Sequence, residues 1–214
     1  AAAREYGRAS GLAWGLGYLG AISALVLVLV LFVLPDSPAF GIGTDQAAHI
    51  RVTMIFAALW LCLFAAPLFL FVKAPQARPD PAPFGAQLRA SLAVAMRIPD
   101  MPRFLLARML FADGLVTLFA FGGIYAATVF GFSQTKVLVF GIILNITAGL
   151  GAALGGIADD KLGSVGVMRL CLLALAGLGL LAILAPNETL FWVAGALLGI
   201  FIGPLQSSAR AYVA

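Results

Sequence analysis

Six runs of about twenty consecutive, mostly apolar residues dominate the chain. Gly11 to Leu34 and Val52 to Val72 carry no charge. Phe104 to Phe130 is apolar except for Arg108 and Asp113. Val137 to Ala158 is uncharged but holds Asn145. Val165 to Ala185 has Arg169 near one end, and Thr189 to Ala209 stops just before Arg210. An α-helix needs about 20 apolar residues to cross a bilayer core of about 30 Å. None of the runs shows the period-two alternation of an outer-membrane strand. The expected fold class is therefore an all-α polytopic membrane protein with six transmembrane helices.

Composition removes the alternatives. The chain is 63% hydrophobic and 10% charged, against about 45–50% and 25% in soluble domains. A disordered chain needs the opposite balance, and 2 Cys cannot staple a disulfide scaffold. The 13 Lys and Arg are too few and too scattered for a nucleic-acid stripe, so no nucleic-acid partner is expected. The lipid bilayer is the first expected partner.

The placement of the basic residues sets an orientation. With six spans, one side holds Arg4, Arg8, Lys73, Arg78, Arg89, Arg97, Arg103, Arg108, Lys161, Arg169 and Arg210. The other holds only Arg51 and Lys136. Cytoplasmic loops carry the excess of Lys and Arg. Both ends of the chain are thus expected on the cytoplasmic face, of a bacterial inner (cytoplasmic) membrane.

The connections differ in kind. Short loops join spans three to six, as in packed helical hairpins. The loop from Lys73 to Arg103 is long and opens with a proline-rich stretch, Lys73 to Pro83, whose composition favours an extended backbone. Phe84, Leu88, Leu92 and Ala95 then recur at helical spacing, with Arg89 and Arg97 elsewhere on the turn. That pattern fits an amphipathic helix lying on the membrane surface, and equally a soluble linker helix. The loop from Pro35 to Ile50 contains Asp36, Asp45 and the single histidine, His49. A lone histidine reads as an ordinary loop residue, so no metal and no cofactor are expected. The chain opens at Ala1 without an initiating Met and closes at Ala214 just past a helix, which suggests a piece of a longer protein.

The sharpest motif is Gly155-Gly-Ile-Ala-Asp-Asp-Lys-Leu-Gly163, at the inner end of the fourth span. Gly156, Asp160, Lys161 and Gly163 resemble the cytoplasmic loop signature of the major facilitator superfamily, Gly-x-x-x-Asp-Arg/Lys-x-Gly. Gly156 would admit a neighbouring helix, and Gly163 a tight turn. Asp160 would accept from a helix N-terminus or pair with a basic group. Such a contact can hold one state of a transporter closed and break in the other. Ser164 departs from the pattern, since the superfamily often has a basic residue there.

Three further strings narrow the resemblance: Gly15-Leu-Gly-Tyr-Leu-Gly20, Ala107 to Tyr125, and Gly203-Pro-Leu-Gln-Ser-Ser-Ala-Arg-Ala-Tyr212. Together they resemble the vacuole-effluxer-like branch, whose fungal members export amino acids from the vacuole. In the superfamily the signature follows the second helix of each six-helix half, and a long cytoplasmic loop joins the halves. Here the long loop follows span two and the motif follows span four. The resemblance therefore implies helices five to ten of a twelve-helix fold. Residues 1–72 would be the last two helices of the first half, 73–103 the joining loop, and 104–214 the first four helices of the second half. The missing helices of the same transporter would then be partners.

Asp113 is the strongest candidate for mechanism. It lies ten residues beyond Arg103, roughly 15 Å along a helix and hence near the bilayer midplane. A carboxylate there costs about 2.5–3.5 kcal/mol on insertion scales, so it is expected to face a cavity or a partner. Transporter solute and ion sites lie at that depth. The expectation is that Asp113 binds a proton or a polar solute, or else pairs structurally with another helix. Arg108 is roughly 140° round the helix and does not share its face. Thr117 lies one turn on and does. Asn145 offers an amide in span four, for solute or for another helix. Tyr125 lies nearer the outer side, as a pathway residue or an interfacial anchor. Gln206 sits near the inner end of span six. Glycine rows in spans one (Gly11, Gly15, Gly17, Gly20) and six (Gly195, Gly199, Gly203) suit close packing or sliding.

These features favour a secondary transporter moving a small polar solute, such as an amino acid, by ion-coupled alternating access. No catalytic residues are expected: no nucleophile elbow, phosphate loop or metal cluster is present in the sequence. A channel, a membrane-embedded enzyme and a structural membrane protein remain the alternatives.

Overall fold

The computed structural model describes residues 2–35, 39–43, 45–73 and 83–213, with side chains from Gly11 onward. The side chains of Arg4 and Arg8, residue Asp36, and Arg78 with most of the proline-rich stretch lie outside the described residues. Six α-helices follow in order: α1 (Ala2–Val28), α2 (Ala48–Phe71), α3 (Phe84–Arg97), α4 (Met101–Phe130), α5 (Gln134–Ile183) and α6 (Glu188–Ala211). A π-turn, Leu29–Val33, extends α1, and two short 3₁₀ turns precede α2. No strand occurs among the described residues. Five of the helices are long and apolar enough to cross a membrane.

The arrangement of α5 corrects the expectation of a short loop between spans four and five. Spans four and five are joined without one: α5 runs for 50 residues, and Gly163 (φ 69°, ψ 157°) is its one non-helical residue. The combination of positive φ and extended ψ is open essentially to glycine alone. A straight helix of 50 residues would measure about 75 Å, more than twice the bilayer core. The chain instead doubles back at Gly163, because Lys136 near the start of α5 pairs with Glu188 at the start of α6. By length and by this reversal, α5 supplies two crossings, 134–162 and 164–183.

The outer surface explains the composition. Along α2 no residue is buried, and Leu61, Leu63, Phe69, Leu70 and Phe71 are all exposed. A soluble protein rarely shows an apolar surface on this scale. Lipid tails are the solvent that suits it, and the backbone of each helix is satisfied internally, as a bilayer requires.

The chain divides into two compact units, residues 1–57 with 119–214, and residues 58–118. The first unit carries the core. Its centre is the seam between 134–162 and α6, where Ala148, Ala152, Ala194 and Leu205 are fully buried. Glycine makes this approach possible. A methyl group on Gly155 would lie 2.8 Å from Cβ of Pro204, and one on Gly151 would lie 2.8 Å from the Ile200 carbonyl carbon. Gly195 meets Phe140, Gly199 meets Thr147, and Gly203 meets Ala148. Residue numbers rise together along both helices, so the pair is parallel. Small residues at spacing four let transmembrane backbones touch, where dispersion and interhelical packing replace the hydrophobic effect.

The glycine row of α1 behaves differently from its counterpart in α6. Only Gly11 is close, 3.3 Å from the Ala152 carbonyl oxygen when given a Cβ; Gly15, Gly17 and Gly20 face open space. Pro67 and Pro204 both lie inside helices, and Pro204 is part of the seam.

The second unit holds the end of α2, all of α3 and the start of α4. Its contacts are local. Trp60 and Phe64 rings lie 4.8 Å apart, Arg103 pairs with Asp100 at 3.0 Å, and the Arg108 guanidinium sits 4.8 Å above the Phe111 ring.

Candidate transport pathway and gate

Between α1 and 134–162 runs a groove of about 730 Å3. Gly11, Gly15 and Tyr18 line one wall; Gly149, Gly156 and Asp160 line the other. The two helices touch through Gly11 on Ala152 and Tyr18 on Gly149. As residue numbers rise along one they fall along the other, so the helices are antiparallel. The walls are nearly all apolar, and Asp160 is the one ionisable carboxylate among the lining residues. Gly156 and Asp160, four residues apart, share the face turned to the groove.

The motif residues therefore occupy two settings. Gly156 and Asp160 face the groove, Asp160 being exposed. Lys161 is exposed on the last turn before the reversal, and Gly163 makes it. The hydrogen bond at this end belongs to the neighbouring acid: Ser164 Oγ donates to Asp159 Oδ2 at 3.0 Å. Serine thus serves Asp159 where the family pattern would place a charge.

At the same end of the unit, three buried polar atoms lack a hydrogen-bond partner among the described residues: Asp159 Oδ1, Gln206 Oε1 and Ser208 Oγ. Ser208 is 1% exposed. Asp159 and Ser208 lie one turn beyond the Gly155–Pro204 contact on their respective helices. Ser207, by contrast, donates to the Pro204 carbonyl at 3.1 Å. Buried polar groups are normally paired, and one left unpaired in low dielectric is costly.

Asn145 is half-buried, and its amide donates to the Gly141 carbonyl at 2.8 Å, one turn back in its own helix. Thr147 does the same to Leu144 at 3.0 Å. Such local bonds satisfy polar side chains without a second helix. Tyr125 donates its hydroxyl to the Ile183 carbonyl at 2.8 Å. Its ring packs 5.9 Å from Phe191, within a cluster that includes Phe130, Phe132, Phe140 and Trp192. Asp113 and Thr117 are exposed on α4, in the second unit.

Two features escaped sequence reasoning. Glu188 opens α6, pairs with Lys136 at 2.9 Å and accepts from Trp192 Nε1 at 3.2 Å. A lone acid in the first turn of a helix was the available signal, but its partner lies 52 residues away. Asp159 reads as half of an acidic turn until Ser164 is seen to bond it. No group of three or more His, Cys, Asp or Glu that could hold a metal occurs among the described residues.

Apolar helices long enough to span, a glycine-built seam and an open groove ending in a facilitator-type motif define an integral membrane protein of the helical transporter class. A family model described as vacuole effluxer Atg22 like matches residues 2–214. The chain belongs to that family, one of the transporters of the major facilitator type. No curated protein and no solved structure matches the chain.

Proposed function

We propose that this chain works within a secondary transporter that moves a small polar solute, such as an amino acid, by alternating access coupled to protons. Membership of an effluxer family supports a transporter. The observation that carries the mechanism is the contrast between two helix pairs sharing 134–162. On one side it is locked to α6 through Gly151, Gly155 and Gly203. On the other it touches α1 through Gly11 on Ala152 and Tyr18 on Gly149, and an open groove runs beside these contacts. A helix interlocked on one flank and bordered by a groove on the other is suited to rock as a body with α6 while the groove opens and closes.

In this reading Gly156, Asp160, Lys161 and Gly163 form the gate at the mouth of the groove. Asp160 gains a partner when the groove closes. Gln206, with its buried and unpaired oxygen, lines the pathway at the same end. Asp113, with Thr117 on its face, carries the proton or binds the solute. Asn145 and Tyr125 complete the pathway by releasing their local hydrogen bonds. Residues 1–72 and 104–214 belong to successive halves of the transporter, and 73–103 joins them on the cytoplasmic side of the membrane.

The test is uptake into proteoliposomes by the protein that contains this chain. A carrier gives saturable uptake, counter-exchange and dependence on a pH gradient. Flux that rises linearly with concentration would establish a channel instead, and chemical turnover of the solute an enzyme.

A further inference from the structure

Among the described residues, α3 is the one α-helix that is too short and too polar to cross the membrane and yet has no buried residue. Phe84, Leu88, Leu92 and Met96 are each more than half exposed. At 100° per residue they form one continuous apolar face. Ala86 and Ala90 lie opposite, Arg89 at the edge and Arg97 toward the back. Four large apolar side chains on an exposed 14-residue helix would be a liability in water.

The neighbours of α3 fix where that face lies. Only Ile98, Pro99 and Asp100 separate it from α4. That link is tight: Ile98 N–H donates to Ala95 at 3.2 Å, and Met101 N–H to Ile98 at 3.2 Å. Both α2 and α4 are membrane-crossing helices by length and composition. The C-terminal end of α3 is therefore tethered within about 14 Å of the start of α4, since four residue steps reach no further. The charges of the segment have one predominant sign. Lys73, Arg89, Arg97 and Arg103 stand against Asp100 among the described residues, and Arg103 with Asp100 is exposed.

We propose that α3 lies flat on the bilayer and seats its Phe84–Leu88–Leu92–Met96 face in a leaflet of anionic lipid, with Arg89, at the edge of that face, held by the headgroups. The occupant of the face is the lipid surface, because tethering brings that surface to it and the charge of the segment complements it. The helix thereby fixes the level at which α4 enters the membrane. This proposal is independent of any transported solute.

Nitroxide labels on the full chain in nanodiscs test it. In a background with Cys62 and Cys171 replaced, the labels are placed at Leu88→Cys and Leu92→Cys on the apolar face, and at Ala86→Cys and Ala90→Cys opposite. The discs are phosphatidylcholine with or without phosphatidylglycerol. With phosphatidylglycerol, the Leu88 and Leu92 labels should collide with oxygen and be shielded from a water-soluble nickel chelate, and the Ala86 and Ala90 labels the reverse. Arg89→Gln should weaken seating about fivefold in the anionic discs. Equal exposure to the chelate all round the helix overturns the proposal. So does an immobile Leu92 label shielded from both reagents, which would mean a protein partner. Seating that ignores phosphatidylglycerol and Arg89 overturns the anionic preference.

Discussion

Lys136 and Glu188 meet at 2.9 Å although 52 residues separate them. A helix over that interval would carry them about 78 Å apart. Their pairing closes the hairpin whose bend is Gly163 and brings the starts of α5 and α6 together beside the Phe132–Trp192 stack, 5.5 Å between ring centres. Lys136 also lies 5.5 Å from the Phe132 ring, so the pair is anchored on an aromatic floor. Cysteines at both positions, in a background lacking Cys62 and Cys171, should crosslink through a short bifunctional reagent in lipid. Absence of that crosslink in folded protein would remove the hairpin.

Gly163 is expected to tolerate no side chain. Gly163→Ala should destabilise the protein by about 1–3 kcal/mol, the usual magnitude for a residue held in a sparsely populated backbone region. Thermal unfolding in nanodiscs measures it. A melting temperature equal to wild type would mean that the turn can relax to ordinary helix.

The seam and the groove should respond oppositely to added bulk. Gly155→Leu drives side-chain atoms into Pro204 and should lose about 1–3 kcal/mol or fail to fold. Gly15→Leu enters open space, with no atom within 4 Å of where its Cβ would sit, so stability should hold. Transport should nevertheless fall, because the leucine obstructs closure of α1 on 134–162. Full transport by Gly15→Leu would show that the groove does not close.

Asp113 carries a directional prediction. Asp113→Asn should fold normally yet lose uptake driven by a pH gradient, while Asp113→Glu keeps a measurable fraction. Counter-exchange at equal pH separates coupling from binding: it survives if the carboxylate handles protons alone, and falls with uptake if it binds the solute. An unchanged pH profile in Asp113→Asn sinks both roles.

Ser164→Ala removes the hydrogen bond to Asp159, which has another oxygen already unpaired. An uncompensated, half-buried carboxylate should cost about 1–3 kcal/mol. Ser164→Thr should restore the donor and most of the stability. If alanine and threonine behave alike, the bond contributes nothing.

Much of this was legible in the residues because hydrophobic runs report local facts. Membrane depth, helix length and the sidedness of charge each depend on stretches of about twenty residues. The motif from Gly155 to Gly163 and the strings around Gly15, Asp113 and Gly203 were readable for the same reason, being contiguous. The glycine rows were readable only by halves. Gly195, Gly199 and Gly203 look no different in sequence from Gly11, Gly15, Gly17 and Gly20, yet only the first set is packed throughout. What separates them is the helix standing opposite, and spacing along one helix does not say which neighbour it meets.

By itself, the sequence determined that the chain is helical, that it lies in a membrane and that it belongs among the effluxer-like transporters. Those properties follow from transfer free energies and backbone satisfaction, which act residue by residue, and from contiguous motifs. The tertiary structure decided that one residue, Gly163, replaces a loop, and that Lys136 finds Glu188. It also decided that 134–162 interlocks with α6 along a glycine seam and leaves a groove beside its contacts with α1. Each of these depends on contacts between residues far apart in the chain, where van der Waals fit over a few ångströms selects one pairing from many that the same composition would allow.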